Sequence, residues 1–454
     1  MNEKRTGRPV IYIPIESKKR EFDGKVLLSA ALLARGFRVA IGTKSGIHRE
    51  LLYARDGVYL AKSASNEHLT LYRQLQERGH KLAVLDVEGG ALTKEIKSDL
   101  LRSYQPESAG CFDYFYVFGE KIKEAIVHHL PYIQEKQVVV TGEPRFDFLR
   151  PDYEAFYAGM VQQIRQRYGR FLLINTSFGL ANSLLGEEGI RRFLETTVDI
   201  PDEQRGLYLL KHEEGKYLLK AFVAMAQELA VRYPDVNVVL RPHPDEDPAV
   251  YHDAVSGHPN LFVDGNWSVH PWLMAARAVV HHDCTTGLEA VMAGKPVVSY
   301  IPRMEESITA WLPVYMSMAC RETREVIDAV APFVHNEDES RWCPDKEKQK
   351  VFSGYFNNYH QPAGELLADA LLKAYGHLNT TTPASLQLLW QRTRSSLSIK
   401  RYRNRQSPGS RHRFLWIDKE EVKQKLAKTG QIPDGITIEY KLPGSNVLLM
   451  ELQE

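Results

Sequence analysis

The sequence predicts an α/β protein made of two open, largely parallel sheets, one after the other along the chain, whose strand ends face a shared cleft. Three observations carry this. Short apolar runs alternate with helical patterns from Val10 onward, the alternation breaks near residue 150 and restarts at Phe171, and the polar residues able to do chemistry fall just after the apolar runs. In open sheets of this kind ligands sit beyond the carboxyl ends of the strands, and two such sheets facing each other leave a cleft there.

The first series opens with a strand at Val10 to Ile15, a polar turn, a helix over Lys25 to Ala34 stopped by Gly36, and a strand at Phe37 to Ile41. Next come a strand at Val58 to Leu60, a helix from Glu67 to Arg78 before Gly79, a strand at Leu82 to Leu85 and a helix from Leu92. A strand at Tyr114 to Phe118, a helix from Glu120 and a strand at Val138 to Thr141 complete it. After the break, a helix over Tyr153 to Tyr168 leads to a strand at Phe171 to Asn175. A helix over Lys216 to Arg232 follows, then strands at Asn237 to Arg241, Leu261 to Val263, Ala278 to His281 and Pro296 to Tyr300. The expected division is 1–150, 151–378 and a basic extension, 379–454, with helical segments after about Gly364 free to cross back onto the first domain.

Composition narrows the classes. A chain of 454 residues exceeds one ordinary core, and 43% hydrophobic with 25% charged residues is usual for a globular protein. A formal net charge of +1 gives no global reason to expect nucleic acid. Cys111, Cys284, Cys320 and Cys343 are far apart and show no C-x-x-C spacing, which points to a reducing compartment without zinc or structural disulfides. No apolar stretch is long enough to span a bilayer, so the expectation is a cytoplasmic protein. The run from Arg392 to Arg413 holds eight Arg and Lys residues and no acid, a surface able to hold the protein against an anionic membrane, although a solvated basic face accounts for it nearly as well.

The strongest motif is Arg241-Pro242-His243-Pro244 at the end of a strand, paired with Thr285-Thr286-Gly287 and Glu289 at the end of another. Helix N-termini carry unpaired N–H groups and a partial positive charge, so a nucleotide phosphate can be held there without metal. His243 and Arg241 would face phosphate oxygens, and Glu289 could meet ribose hydroxyls; the plain alternatives are a proline-shaped strand exit and an ordinary threonine cap. Asp245-Glu246-Asp247 has a metal-binding look, but acids are favoured in a helix's first turn by the dipole alone, so no metal is expected. In Asp86-Val87-Glu88-Gly89-Gly90, Glu88 or Asp86 could act as base or nucleophile, against a reading as a loop acid beside turn glycines. Glu16, Arg20 and Glu21 crowd the end of the first strand, and Arg145 in Gly142-Glu143-Pro144-Arg145 could reach an anion or simply shape a hinge.

These segments, together with Leu173-Ile174-Asn175-Thr176-Ser177-Phe178, resemble the bacterial surface-carbohydrate biosynthesis proteins, which look like GT-B glycosyltransferases related in layout to β-Kdo transferases and, more distantly, to sialyltransferases and teichoic-acid glycerophosphate transferases. The resemblance runs in order over about residues 10 to 300, with Thr285-Thr286 where relatives carry Ser-Ser or Ser-Thr. It implies a GT-B architecture of two Rossmann-like domains with C-terminal helices. The nucleotide sugar would lie in the second domain on Arg241, His243, Pro244, Thr285, Thr286, Gly287, Glu289 and Asn175, and a glycan or lipid-linked glycan acceptor in the first, near Glu16, Arg20, Glu21 and Arg145. It also implies a CMP-linked ulosonic acid such as Kdo as donor, with no cofactor or metal. A UDP-sugar transferase, a polyol-phosphate transferase and a non-catalytic binder of nucleotide or glycan remain the alternatives.

Overall fold

The computed structural model describes residues 8–86, 89–196, 202–335, 341–378, 417–430, 435–440 and 446–452. Glu88 and the basic run Arg392 to Arg413 lie outside the described residues. The chain divides into two units: residues 1–89, 100–148 and 354–454 form the first, 90–99 and 149–353 the second.

The first unit is an eight-stranded sheet among the described residues. Its strands are β1 (Val10–Ile15), β2 (Arg38–Thr43), β3 (Val58–Ala61), β4 (Lys81–Leu85), β5 (Tyr114–Val117) and β6 (Val138–Val140), with β13 (Ile436–Tyr440) and β14 (Val447–Leu452). The order is β13-β14-β2-β1-β3-β4-β5-β6. β1 to β6 run parallel, whereas β14 pairs antiparallel with β2 and β13 antiparallel with β14. The parallel strands are apolar along their length because both faces are covered. On one face helix α1 (Lys18–Ala34) sets Val26, Leu28 and Leu32 against Ile11, Ile13 and Val39. Leu367 and Leu371 from the helix Ala363–Tyr375, and Val422 and Leu426 from the helix Lys419–Lys428, close the same cluster. Each such side chain, fully buried, contributes roughly 1.5–3 kcal/mol.

The chain's return is fixed by polar bonds as well. Asp147 accepts hydrogen bonds from Asn358 Nδ2 at 2.6 Å, from the Ala363 amide at 2.8 Å and from the Gly364 amide at 2.8 Å, tying the turn after β6 to the start of the helix Ala363–Tyr375. That helix end is thereby capped from outside its own sequence.

The second unit holds β7 (Phe171–Asn175), β8 (Asn237–Arg241), β9 (Leu261–Val263), β10 (Ala278–His281), β11 (Val297–Tyr300) and β12 (Met318–Cys320), in the order β12-β11-β10-β7-β8-β9 and all parallel. Phe222, Met225 and Leu229 of the long helix Asp202–Arg232 pack on Leu172, Ile174, Val238 and Leu240.

Four strands of this sheet, β7 to β10, start and stop where the sequence pattern places them. Several helices do not. α1 begins at Lys18 rather than Lys25, because the residues from Glu21 to Lys25 are buried by partners outside the helix and show no apolar stripe, and the helix Asp202–Arg232 begins well before Lys216. The helix expected from Leu92 begins at Ile96, and α2 (Lys44–Tyr53), capped by the Thr43 hydroxyl on the Gly46 amide, has no counterpart in the pattern reading.

Candidate active site

In the second unit the chain moves outward from β7 in both directions, to β8 and β9 on one side and to β10, β11 and β12 on the other. The reversal lies between β7 and β10, and ligands of such sheets bind outside the carboxyl ends at that point. Asn175 and Arg241 are the last residues of β7 and β8 and are partners in register. Both are buried. Neither side-chain polar atom of Asn175 has a hydrogen-bond partner among the described residues, and Arg241 donates from one terminal nitrogen to the Trp267 carbonyl at 3.2 Å while its Nε has none. A buried polar group left this way costs about 1–3 kcal/mol. Burial lowers the Arg241 guanidinium to about 10, against the pull of Glu289 and Asp264, and it stays a cation at neutral pH.

Beyond β10 the helix Thr285–Met292 begins at Cys284, whose side chain makes no capping bond, and the Thr286 hydroxyl lies 2.6 Å from the Cys284 thiol. Thr285 and Thr286 are half-buried. Gly287 is required by space: a Cβ there would lie 2.3 Å from the His281 ring. Glu289 is turned inward, its carboxylate 3.6 Å from His270 Nε2.

His243 is held by its backbone. Its amide donates to Thr176 Oγ1 at 3.3 Å, and Thr176 donates to Glu246 at 2.7 Å. Glu246 also accepts from the Phe178 amide and from the Tyr251 hydroxyl, so this one buried carboxylate fastens the loop after β7 to the loop after β8. The middle acid of Asp245-Glu246-Asp247 is therefore a clamp. His243 Nδ1 accepts from the Asp245 amide at 3.3 Å, which puts the proton of the neutral ring on Nε2. Pro244 follows, half-buried, in the same exit.

Sequence reasoning passed over Trp267. Its φ of 58° is a left-handed conformation that a bulky residue rarely adopts, and its carbonyl anchors Arg241. Nothing in the sequence signals that strain.

In the first unit the reversal lies between β1 and β3, and the carboxyl ends of β1, β2 and β3 line a small pocket. Glu16 bridges Lys44 at 2.6 Å and Lys62 at 3.2 Å. Burial works to raise its carboxyl, but the two lysines together hold it down at about 2. Glu21 accepts from the Glu16 amide at 3.1 Å, and Arg20 stands half-buried on α1. Arg145 lies apart from the pocket lining: it is buried, with Nε 3.0 Å from Glu143 and its guanidinium 4.8 Å from the centre of the Phe146 ring. Asp86 closes β4, buried, and a Cβ at Gly89 would stand 2.7 Å from its Oδ2. Among the described residues no helix is long and apolar enough to cross a membrane.

No protein-family model matches the chain, and no curated protein matches it. Solved structures do match in shape. The wall teichoic acid polymerase TagF, in a structure with CDPG, is 12% identical with a TM-score of 0.50, over 81% of this chain and 89% of that one. The UDP-GlcNAc 2-epimerase of Methanocaldococcus jannaschii is 12% identical with a TM-score of 0.50, over 80% of this chain and 99% of that one. At such identity the likeness carries fold alone, and the fold is of the GT-B type: two Rossmann-like units in sequence, with the C-terminal chain returning to the first.

Proposed function

We propose that the chain is a metal-independent glycosyltransferase that takes a nucleotide sugar at the edge formed by β7, β8 and β10 and passes the sugar to a bacterial surface glycan bound by the first unit. One observation carries the reading: Asn175 and Arg241, buried side by side with partnerless polar atoms, end β7, which flanks the reversal, and β8 beside it, and the strand on the reversal's other side leads to Thr285 and Thr286. As the bond to the leaving phosphate breaks, negative charge grows on its oxygens. Arg241, the Nε2 proton of His243 and the first-turn hydroxyls and amides of the helix Thr285–Met292 would stabilise that charge more than the bound donor, which is what lowers a barrier. Asp86 or Glu88 would serve as base or nucleophile.

The finer reading, a CMP-linked ulosonic acid such as Kdo as donor, is supported by the sequence segments quoted above. A second reading, a CDP-polyol-phosphate or UDP-sugar enzyme, is favoured by the CDPG and UDP-GlcNAc named for the two structures of like fold. Attachment to the inner face of the membrane through Arg392 to Arg413 is part of the proposal and is read by co-sedimentation with anionic vesicles. The test of the enzyme is turnover of CMP-Kdo, CDP-glycerol and UDP-GlcNAc by the wild type, Glu88→Gln and Asp86→Asn. At least one variant should lose about 100-fold or more in kcat with nucleotide affinity kept. Full turnover in both would remove the assigned carboxylates, and absence of turnover with every donor would leave a binding protein.

A further inference from the structure

Lys25, on the second turn of α1, is 4% exposed, and its ammonium makes no hydrogen bond or ion pair among the described residues. It lines the pocket at the carboxyl ends of β1 to β3 together with Glu16, Glu21, Lys62, Ser63 and His68. The other charges nearby are already engaged. Glu16 is bridged by Lys44 and Lys62, Glu21 receives the Glu16 amide, Glu143 is paired with Arg145, and Glu67 stands on the rim, 62% exposed, beside His68. Among the described residues no carboxylate forms an ion pair with the Lys25 ammonium, and the three lining lysines, Lys25, Lys44 and Lys62, outnumber the inner carboxylates Glu16 and Glu21. The N-termini of α1 and α2 meet the same edge and add partial positive charge. Burial pulls the lysine below its usual pKa, with Glu143 and Glu21 acting against that, which is the mark of an ammonium short of a direct counter-ion.

The cavity, about 30 Å³, has room for the oxygens of a small head group and none for a sugar ring. We propose that this pocket is an anion subsite for the acceptor, taking the carboxylate or phosphate of an acidic glycan so that Lys25 gains its missing partner and Lys62 shares the anion with Glu16. The proposal rests on the reading of the first unit as the acceptor-binding unit.

The experiment compares charged and neutral probes on the intact protein at matched ionic strength: glucuronate against glucose, and glycerol 3-phosphate against glycerol, titrated into the millimolar range by calorimetry. The charged member of at least one pair should bind saturably and its neutral counterpart should not, and the pair that responds tells carboxylate from phosphate. Lys25→Met should weaken that binding at least tenfold, and Lys62→Ala several-fold, with nucleotide affinity unchanged. Because Lys25→Met withdraws a cation from the buried Glu21 and Glu143, its fold is checked by thermal unfolding, and Lys25→Arg, which keeps the charge, should keep the anion binding. Equal binding of the neutral probes, undiminished anion binding in Lys25→Met, or no anion binding by a protein that binds nucleotide would overturn the subsite. Anion binding through Lys25 without any nucleotide binding would keep the subsite and remove the transferase reading.

Discussion

Glu246 and Glu16 are both carboxylates at strand ends, and their surroundings drive them in opposite directions. Burial pushes Glu246 up to about 7, although Tyr251, Thr176 and the Phe178 amide all favour its ionised form. The folded state then holds that proton more tightly than the unfolded chain, where the ordinary value is 4.5. The group favours folding most below 4.5, and its contribution declines as pH rises through 7. Glu16, held at about 2, behaves in reverse: its contribution is complete above 4.5 and is lost as pH falls toward 2. Urea unfolding across pH should therefore show Glu246→Gln flattening the slope between 4.5 and 7, and Glu16→Gln removing about 1–2 kcal/mol of acid-sensitive stability after allowance for solvent screening. Unchanged slopes would contradict these environments. Arg241, His243 and the threonine pair were legible in the sequence because strand exits announce themselves. Lys25 and Glu246 were not, since a charged residue in a helix reads as a solvated face, and an acidic triplet as first-turn acids favoured by the helix dipole, until its burial is known.

Helices and strands differed in how plainly they were written. β7 to β10 are buried on both faces, so they appear as unbroken apolar runs with sharp ends. α1 hides its first turns, where Glu21, Asp23 and Lys25 are all buried beside Gly24. Gly24 looks like a helix stop, yet its role is close approach: a Cβ would stand 2.7 Å from the Arg145 amide nitrogen. Gly24→Ala should accordingly destabilise by about 1–3 kcal/mol in denaturant unfolding even though alanine favours helix. Gly287→Ala should push the helix Thr285–Met292 off the His281 ring, weakening nucleotide binding at least tenfold in calorimetry. Either variant behaving as the wild type would contradict the packing described.

At the scale of the molecule, the two-series α/β plan was readable from rhythm alone, whereas the two strands that the C-terminal chain adds to the first sheet were not. Composition drew attention to the basic run after residue 379, but the described residues beyond it form the helix Lys419–Lys428 on α1 and the hairpin β13 and β14 on the edge of β2. Such long-range pairing has no local signature. Removing residues 417–454 should leave the β2 edge unpaired and uncover Val422 and Leu426 contacts on α1, giving a lower Tm and concentration-dependent aggregation by light scattering. A truncated chain that stays monomeric with unchanged Tm would contradict that role. The central claim concerns the other sheet, and calorimetric titration of CMP, CDP and UDP in the presence of a metal chelator tests it most directly, on the wild type, Asn175→Ala and Arg241→Met. The account predicts that at least one nucleotide binds without metal and that both variants, still folded, lose at least tenfold in affinity. Binding that survives both substitutions unchanged, or no binding by the wild type, would contradict it.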